Sequence, residues 1–294
     1  MSNRGDIAID SATPLILRLW QRLPVIMRGI IVGMLILFIG QIPPGVFLLT
    51  NLKLSPSVPW FLPATAFWLW LFWQYLSGKG WPCATAQQRR DDLRGRPLSG
   101  RVWIWSMIAG GLGMISVMSL IFVTSRFANL SKEAYEAPFD VSAFPSWTVV
   151  CIFLNIAVVA GVVEEATFRG YMLSQIQRRH GWIIGIFITG LMFFVSHLSH
   201  AYASIAFLPF FLTYSMLHGY LVYLTRSILP SVVLHTLGDL IVVPMQYGVI
   251  ANPGDSTFVT YGVLTLIFGI AVVPAFRQLI TITRDEKLAD EAAA

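Results

Sequence analysis

The run WTVVCIFLNIAVVAGVVEEATFRGYMLSQIQ, residues 147–177, decides the fold class. From Trp147 to Val163 it carries no charged side chain, as a helix crossing hydrocarbon requires. It then sets two carboxylates and a guanidinium, Glu164, Glu165 and Arg169, inside the same apolar stretch. A soluble amphipathic helix spreads its charges along one face over its whole length. Here they are gathered at one level with apolar residues on both sides, which describes a transmembrane helix bearing a polar site. At ~1.5 Å per residue the run would reach ~46 Å, against a hydrocarbon core of ~30 Å, so tilt or emergence near Gln175–Arg179 is expected.

The rest of the chain agrees. Of 294 residues 56% are apolar and 12% charged, where a soluble domain has roughly 45–50% and about 25%. With mean hydropathy +0.69, ten Trp and twenty Phe, there is too little polar side chain to cover a water-facing surface, and disorder is excluded for the same reason. Apolar runs at 28–50, 58–77, 102–124, 147–177, 182–199, 204–224, 228–247 and 258–276 predict an all-α polytopic membrane protein with eight transmembrane helices and its active site in the C-terminal half. Pro43–Pro44 should kink the first, and 182–199 is short.

The cations fix the orientation. With the N-terminus in the cytoplasm, Arg4, Arg18, Arg22, Arg28, Lys79, Arg89, Arg90, Arg94, Arg96, Arg101, Arg178, Arg179, Arg226, Arg277, Arg284 and Lys287 fall inside. Only Lys53, Arg126 and Lys132 fall outside, so both termini are expected in the cytoplasm of a plasma (inner) membrane. Residues 1–27 form a cytoplasmic segment in which Leu15–Leu23 reads as an interfacial helix ended by Pro24. Residues 28–146 hold the first three spans and a basic loop, 78–101, read as a topology determinant touching anionic lipid. Residues 147–247 form the polar core, and 248–294 the last span and tail. Ser106, Ala109, Gly110 and Gly113 read as a close-packing face. No early apolar core is followed by a small-residue cleavage site, so no signal peptide is expected.

Several function classes drop out. Cys83 and Cys151 make no disulfide framework. No basic helix interleaves with aromatics, so nucleic acid is not an expected partner. Gly78-Lys79-Gly80 lacks the flanking residues of a phosphate-binding loop.

The charges inside the spans are the informative residues, because each costs ~2.5–3.5 kcal/mol to insert unless partnered. Spans one, two, three and eight are essentially free of them. Glu164, Glu165, Arg169, His197, His200, His218, His235 and Asp239 all lie between 164 and 239. Glu165 and Arg169 are i and i+4, placed to neutralise each other. Glu164 is turned about 100° from Glu165 and is free to face a cavity. His235 and Asp239 repeat the i,i+4 spacing, and His197 follows Phe193 by four. His218 has no companion at helical spacing and reads as a packing residue. A carboxylate and an imidazole can together deprotonate a water and make it a nucleophile. Alternatively Glu164, His197, His235 and Asp239 could hold a divalent metal, Zn²⁺ being the candidate cofactor.

These residues resemble a known family. Glu164-Glu165-Ala166-Thr167-Phe168-Arg169 fits EExxxR, Phe193 to His197 fits FxxxH, and Ser227-Ile228-Leu229-Pro230 with His235 to Asp239 fits S-[IL]-x-P…HxxxN/D. In this order, over about 147–245, they resemble the CPBP intramembrane proteases (CAAX-processing and bacteriocin-processing, or ABI, family). The resemblance implies an eight-span helical endopeptidase whose site opens to the cytoplasm and which cuts a membrane-associated or lipidated protein or peptide. It implies Glu164 as the water-activating base with His197 as partner. Glu165 and Arg169 would be the structural pair, His235 and position 239 the oxyanion support, and Phe193 a pocket wall. Asp239 departs from the amide common in CaaX-processing members. An Asn donates a hydrogen bond to an oxyanion and an ionised Asp cannot, so Asp239 is protonated, orients His235 or binds metal. Two other readings are a proton-coupled transporter and a catalytically silent immunity or scaffold protein. The near-absence of charged residues from the spans of the first half speaks against inverted repeats and so against the transporter.

Overall fold

The computed structural model describes residues 15–128, 140–199, 204–247 and 257–293. Among them no strand forms. The helices in chain order are α1 (Leu15–Arg22), α2 (Val25–Leu54), α3 (Phe61–Leu76), α4 (Ala86–Leu93), α5 (Gly100–Ala128) and α6 (Ser146–Glu164). A π-helical segment (Glu165–Met172) follows, then α7 (Leu173–His180), α8 (Trp182–Ser196), α9 (Leu208–Thr225), α10 (Leu229–Gln246) and α11 (Phe258–Ala293).

Among the described residues six helices are long and apolar enough to cross a membrane: Val25–Leu54, Gly100–Ser125, Ser146–His180, Ile205–Thr225, Leu229–Gln246 and Phe258–Ala289. The eight expected spans are thus matched in six. The runs 58–77 and 182–199 become α3 and α8, of 16 and 15 residues. At ~1.5 Å per residue they extend less than ~25 Å, short of a full hydrocarbon core. The fourth run is one continuous helix, Ser146–His180, of 35 residues, ended by Gly181 at φ +83. The short helix before the first span is also present, as α1 closed by Pro24.

Two close approaches set the geometry of the core. A Cβ on Gly40 would lie 2.4 Å from the Val163 side chain, so α2 and α6 meet closely just before Glu164. A Cβ on Gly161 would lie 2.1 Å from Thr236 Oγ1 and 3.1 Å from the Val232 carbonyl, bringing α6 equally close to α10. The small-residue face of α5 does what its pattern predicted, with Gly110 packed on Leu234 and Gly113 on Leu217.

The basic loop is more structural than its composition suggested. Arg89 is buried and donates to the carbonyls of Tyr75, Gly80 and Pro82, with its guanidinium over the Tyr75 ring. Asp92 is buried too, accepting from Ser174 Oγ at 3.0 Å and Arg178 at 2.6 Å. These contacts pin the loop to the end of the 35-residue helix.

Candidate active site

The site begins where α6 changes pitch. From Glu165 to Met172 the helix takes the wider π form, a local irregularity often found at functional positions. Gly170 lies in this segment against the backbone carbonyls of Asp92 and Leu93, where a Cβ would come within 3.2–3.3 Å. Arg169 still reaches Glu165, at 2.8 Å with both side chains fully buried, so the expected ion pair forms on a π rather than an α turn.

Glu165 is the hub. Its Oε1 accepts from Arg169 and from His235 Nδ1, each at 2.8 Å, and its Oε2 accepts from Ser231 Oγ at 2.6 Å. Ser231 in turn contacts His218 Nδ1 at 2.6 Å. His218, which lacked a partner along its own helix, therefore finds one on α10, one turn before His235. A carboxylate receiving this many donors is held in a single orientation. Because Nδ1 of His235 is occupied by Glu165, its Nε2 is the nitrogen presented to the remaining groups. It stands 3.8 Å from Glu164 Oε2 and 3.6 Å from Asp239 Oδ2.

Glu164 is held from the other side by a residue that motif reasoning missed. Gln41 Nε2 donates to Glu164 Oε1 at 3.0 Å. Gln41 lies on α2, in the half of the chain that seemed to contribute nothing polar. Its placement has a local cause. Gly40 admits Val163, so the next residue of each helix, Gln41 and Glu164, face each other. Pro44 has no N–H to give the Gly40 carbonyl, and Trp68 Nε1 donates to it instead at 3.3 Å. The available signal was a lone amide beside a Gly and a Pro pair in an otherwise apolar span.

Arg169 is packed as well as paired. Its guanidinium lies 4.7 Å from the Phe193 ring centre and 5.6 Å from that of Tyr214. Phe193 stacks on Tyr214 at 5.4 Å and meets Phe168 edge-on at 5.2 Å. It also stands between the two histidines, 4.6 Å from the His197 ring and 6.2 Å from that of His235. Phe193 is thus a buried spacer of the cluster rather than only a wall. His197 Nδ1 bonds the Phe193 carbonyl at 2.7 Å. Glu164, Glu165, Arg169, His235 and Asp239 form one connected cluster, and His197 joins it across Phe193. His200 lies outside the described residues.

Among the described residues no three His, Cys, Asp or Glu side chains form a group able to hold a metal ion.

Gln41→Leu is expected to slow any chemistry that depends on Glu164 about tenfold, because one oriented hydrogen bond of ~1–1.5 kcal/mol is lost. Gln41→Glu should slow it further by placing a second carboxylate on the first. Turnover by both variants at the wild-type rate would show that Gln41 does not position Glu164.

Residues 145–241 match the profile of a family described as type II CAAX prenyl endopeptidase, Rce1-like. The match covers a third of the chain, includes all three motifs and leaves out Gln41. No curated protein and no solved structure matches the chain.

Proposed function

We propose, from the premise that residues 145–241 carry an Rce1-like CAAX protease domain, that this chain is an intramembrane endopeptidase for membrane-associated or lipidated (CaaX-type) peptides. The observation that carries the reading is the Glu164–His235–Glu165 arrangement. It presents one carboxylate and one imidazole nitrogen to the same small space and leaves the second carboxylate fully occupied. Glu164, aligned by Gln41, takes the proton of a water, the resulting hydroxide attacks the scissile carbonyl, and Glu164 returns the proton to the leaving amine as the C–N bond breaks. His197 assists from across Phe193. His235, held through Nδ1, turns Nε2 toward the developing oxyanion.

The charge inventory assigns Asp239 a role. Three carboxylates, Glu164, Glu165 and Asp239, face at most two positive charges, on Arg169 and His235, so a third negative charge would stand uncompensated in a buried setting. A neutral Asp239 carboxyl carries a proton and can donate to the oxyanion as an amide would. Asp239→Asn should therefore keep activity within about tenfold of wild type, and Asp239→Ala should lose about 10²–10³-fold. Equal activity of both variants would remove Asp239 from the reaction.

In this reading α3 and α8 complete eight crossings despite their length, and the basic segments with both termini face the cytoplasm of a plasma membrane. The test is incubation of the purified protein in lipid nanodiscs with a panel of membrane peptides, including a farnesylated CaaX peptide, read by mass spectrometry. Cleavage should occur and persist with a zinc chelator present. Chelator-sensitive cleavage would replace the glutamate mechanism by a metal-dependent one. Failure to cut any peptide would count against the protease and favour a scaffold role.

A further inference from the structure

A second polar feature lies apart from the carboxylate cluster. A cleft of about 920 Å³ is bounded by the loop after α4, the α9–α10 turn and the last turns of α11, and none of the residues of the carboxylate cluster lines it. Its lining brings together Arg90, Arg94, Arg96, Arg226, Arg284 and Lys287, against the carboxylates of Asp91 and Glu286. Those two acids are engaged by neutral groups, Asp91 by Gln87 and Glu286 by Ser99. The buried acid nearby, Asp92, is taken by Ser174 and Arg178. Among the described residues no carboxylate pairs with Arg94, Arg226 or Arg284.

The backbone at the rim is unusual in the same direction. Arg94 and Arg226 both end helices in the left-handed region, at φ 56 and φ 53. Helices closed this way usually end on Gly or Asn, which adopt the conformation at little cost. Here both positions carry guanidinium groups that line one cleft. Burial first, then the neighbouring Arg178, pulls the Arg94 guanidinium down to about 10, with Asp92 opposing and Arg226 adding to the effect. Its charged form is thus under-compensated, and an anion in the cleft would relieve it.

Aromatic side chains set the depth of the cleft. Tyr223, on its wall, stacks on Trp182 at 5.0 Å, and Tyr220 beside it lies 5.5 Å from Trp182 and 5.3 Å from Phe276. Arg277, the first charged residue of α11, follows Phe276 directly. A Trp/Tyr cluster at the end of apolar helices marks the headgroup level of a bilayer.

We propose that this cleft binds a phosphate group, and that the headgroup of an anionic phospholipid is the source its depth favours. Guanidinium groups grip phosphate oxygens through paired N–H donors. A phosphate there would bridge three segments distant in sequence. The Arg94 carbonyl already accepts from the Ile228 N–H at 3.0 Å, and the Arg96 carbonyl from Ser227 Oγ at 2.7 Å. The bridge would therefore brace the start of α10, and binding to the folded state alone should raise stability.

The test uses the full chain in phosphatidylcholine nanodiscs containing graded fractions of phosphatidylglycerol, with the unfolding midpoint as readout. A parallel arm adds inorganic phosphate at fixed ionic strength. Arg226→Gln/Arg284→Gln removes two exposed cleft charges, and Arg179→Gln/Arg277→Gln removes two exposed charges elsewhere. Phosphatidylglycerol should raise the midpoint of wild type and of the second variant, whereas the cleft variant should need about tenfold more of it. A shift of the same pattern with inorganic phosphate alone would keep the site and make free phosphate its ligand. Equal weakening in both double variants would reduce the effect to diffuse surface charge. A wild type that responds to neither, or a cleft variant that responds in full, would equally overturn the proposal.

Discussion

Glu164→Gln should abolish peptide-bond cleavage, by about 10²–10⁴-fold or more, in a protein that still folds. The substitution is nearly isosteric, and its carbonyl oxygen still accepts from Gln41, whose bond to Glu164 is 3.0 Å. The capacity to take a proton from water is lost. His235 keeps its attachment to Glu165, because that contact involves the other carboxylate. The variant should therefore match wild type in yield and unfolding temperature while cleavage of the same nanodisc substrate disappears. Retained cleavage would move the base elsewhere. Loss of both folding and cleavage would make Glu164 a structural member of the cluster.

Arg169→Ala should instead cost folded protein. Arg169 and Glu165 are paired at 2.8 Å with both side chains at 0% exposure. Removing one partner of such a pair leaves a buried charge uncompensated, a loss of about 3–5 kcal/mol. The guanidinium packed on Phe193 and Tyr214 is lost as well. Marginal stabilities of about 5–15 kcal/mol make this a large fraction of the total. Glu165→Gln/Arg169→Met, which removes both charges at similar volume, should recover much of the yield. Its activity should stay low, because an amide at 165 holds His235 less firmly than a carboxylate. A stable, well-expressed Arg169→Ala protein would refute the ion pair as a folding element.

The two replacements separate roles that adjacent positions in one motif do not distinguish. Glu164 and Glu165 are chemically identical neighbours, and helix geometry says only that they point in different directions. The occupants of those directions come from other helices: Gln41 for one, Ser231 and His235 for the other. The spacing of Glu165 and Arg169 was sufficient for their pairing because both ends lie on one element. His218 shows the converse. Along its own helix it had no partner, yet it sits 2.6 Å from Ser231, directly behind the hub carboxylate.

Local patterns were informative wherever the cause was local. Apolar composition fixed helices in lipid as the fold class, since a chain with so few polar side chains must satisfy its backbone internally. Motif order gathered the chemistry on α6, α8 and α10, and the small residues of α5 announced a packing face. Crossings were harder to read, because an apolar run says what solvent a segment tolerates rather than where its helix stops. That is why two expected spans became helices of 16 and 15 residues. The basic loop misled in a similar way. Arg89 and Asp92 count as surface charge in a sequence, but carbonyls and hydroxyls from remote segments bury them.

By itself, then, the sequence determined a helical membrane protein and the pairing of Glu165 with Arg169, and it singled out six ionisable residues that the fold brings near one another. These depend on composition and on the repeat of a single helix. Only the tertiary structure decided that Gln41 aligns Glu164, that Glu165 rather than Glu164 holds His235, and that Arg94, Arg226 and Arg284 meet in one cleft. Those contacts join residues dozens to more than a hundred positions apart. The first two exist because glycines at 40 and 161 let helices approach until side chains from different elements share one space.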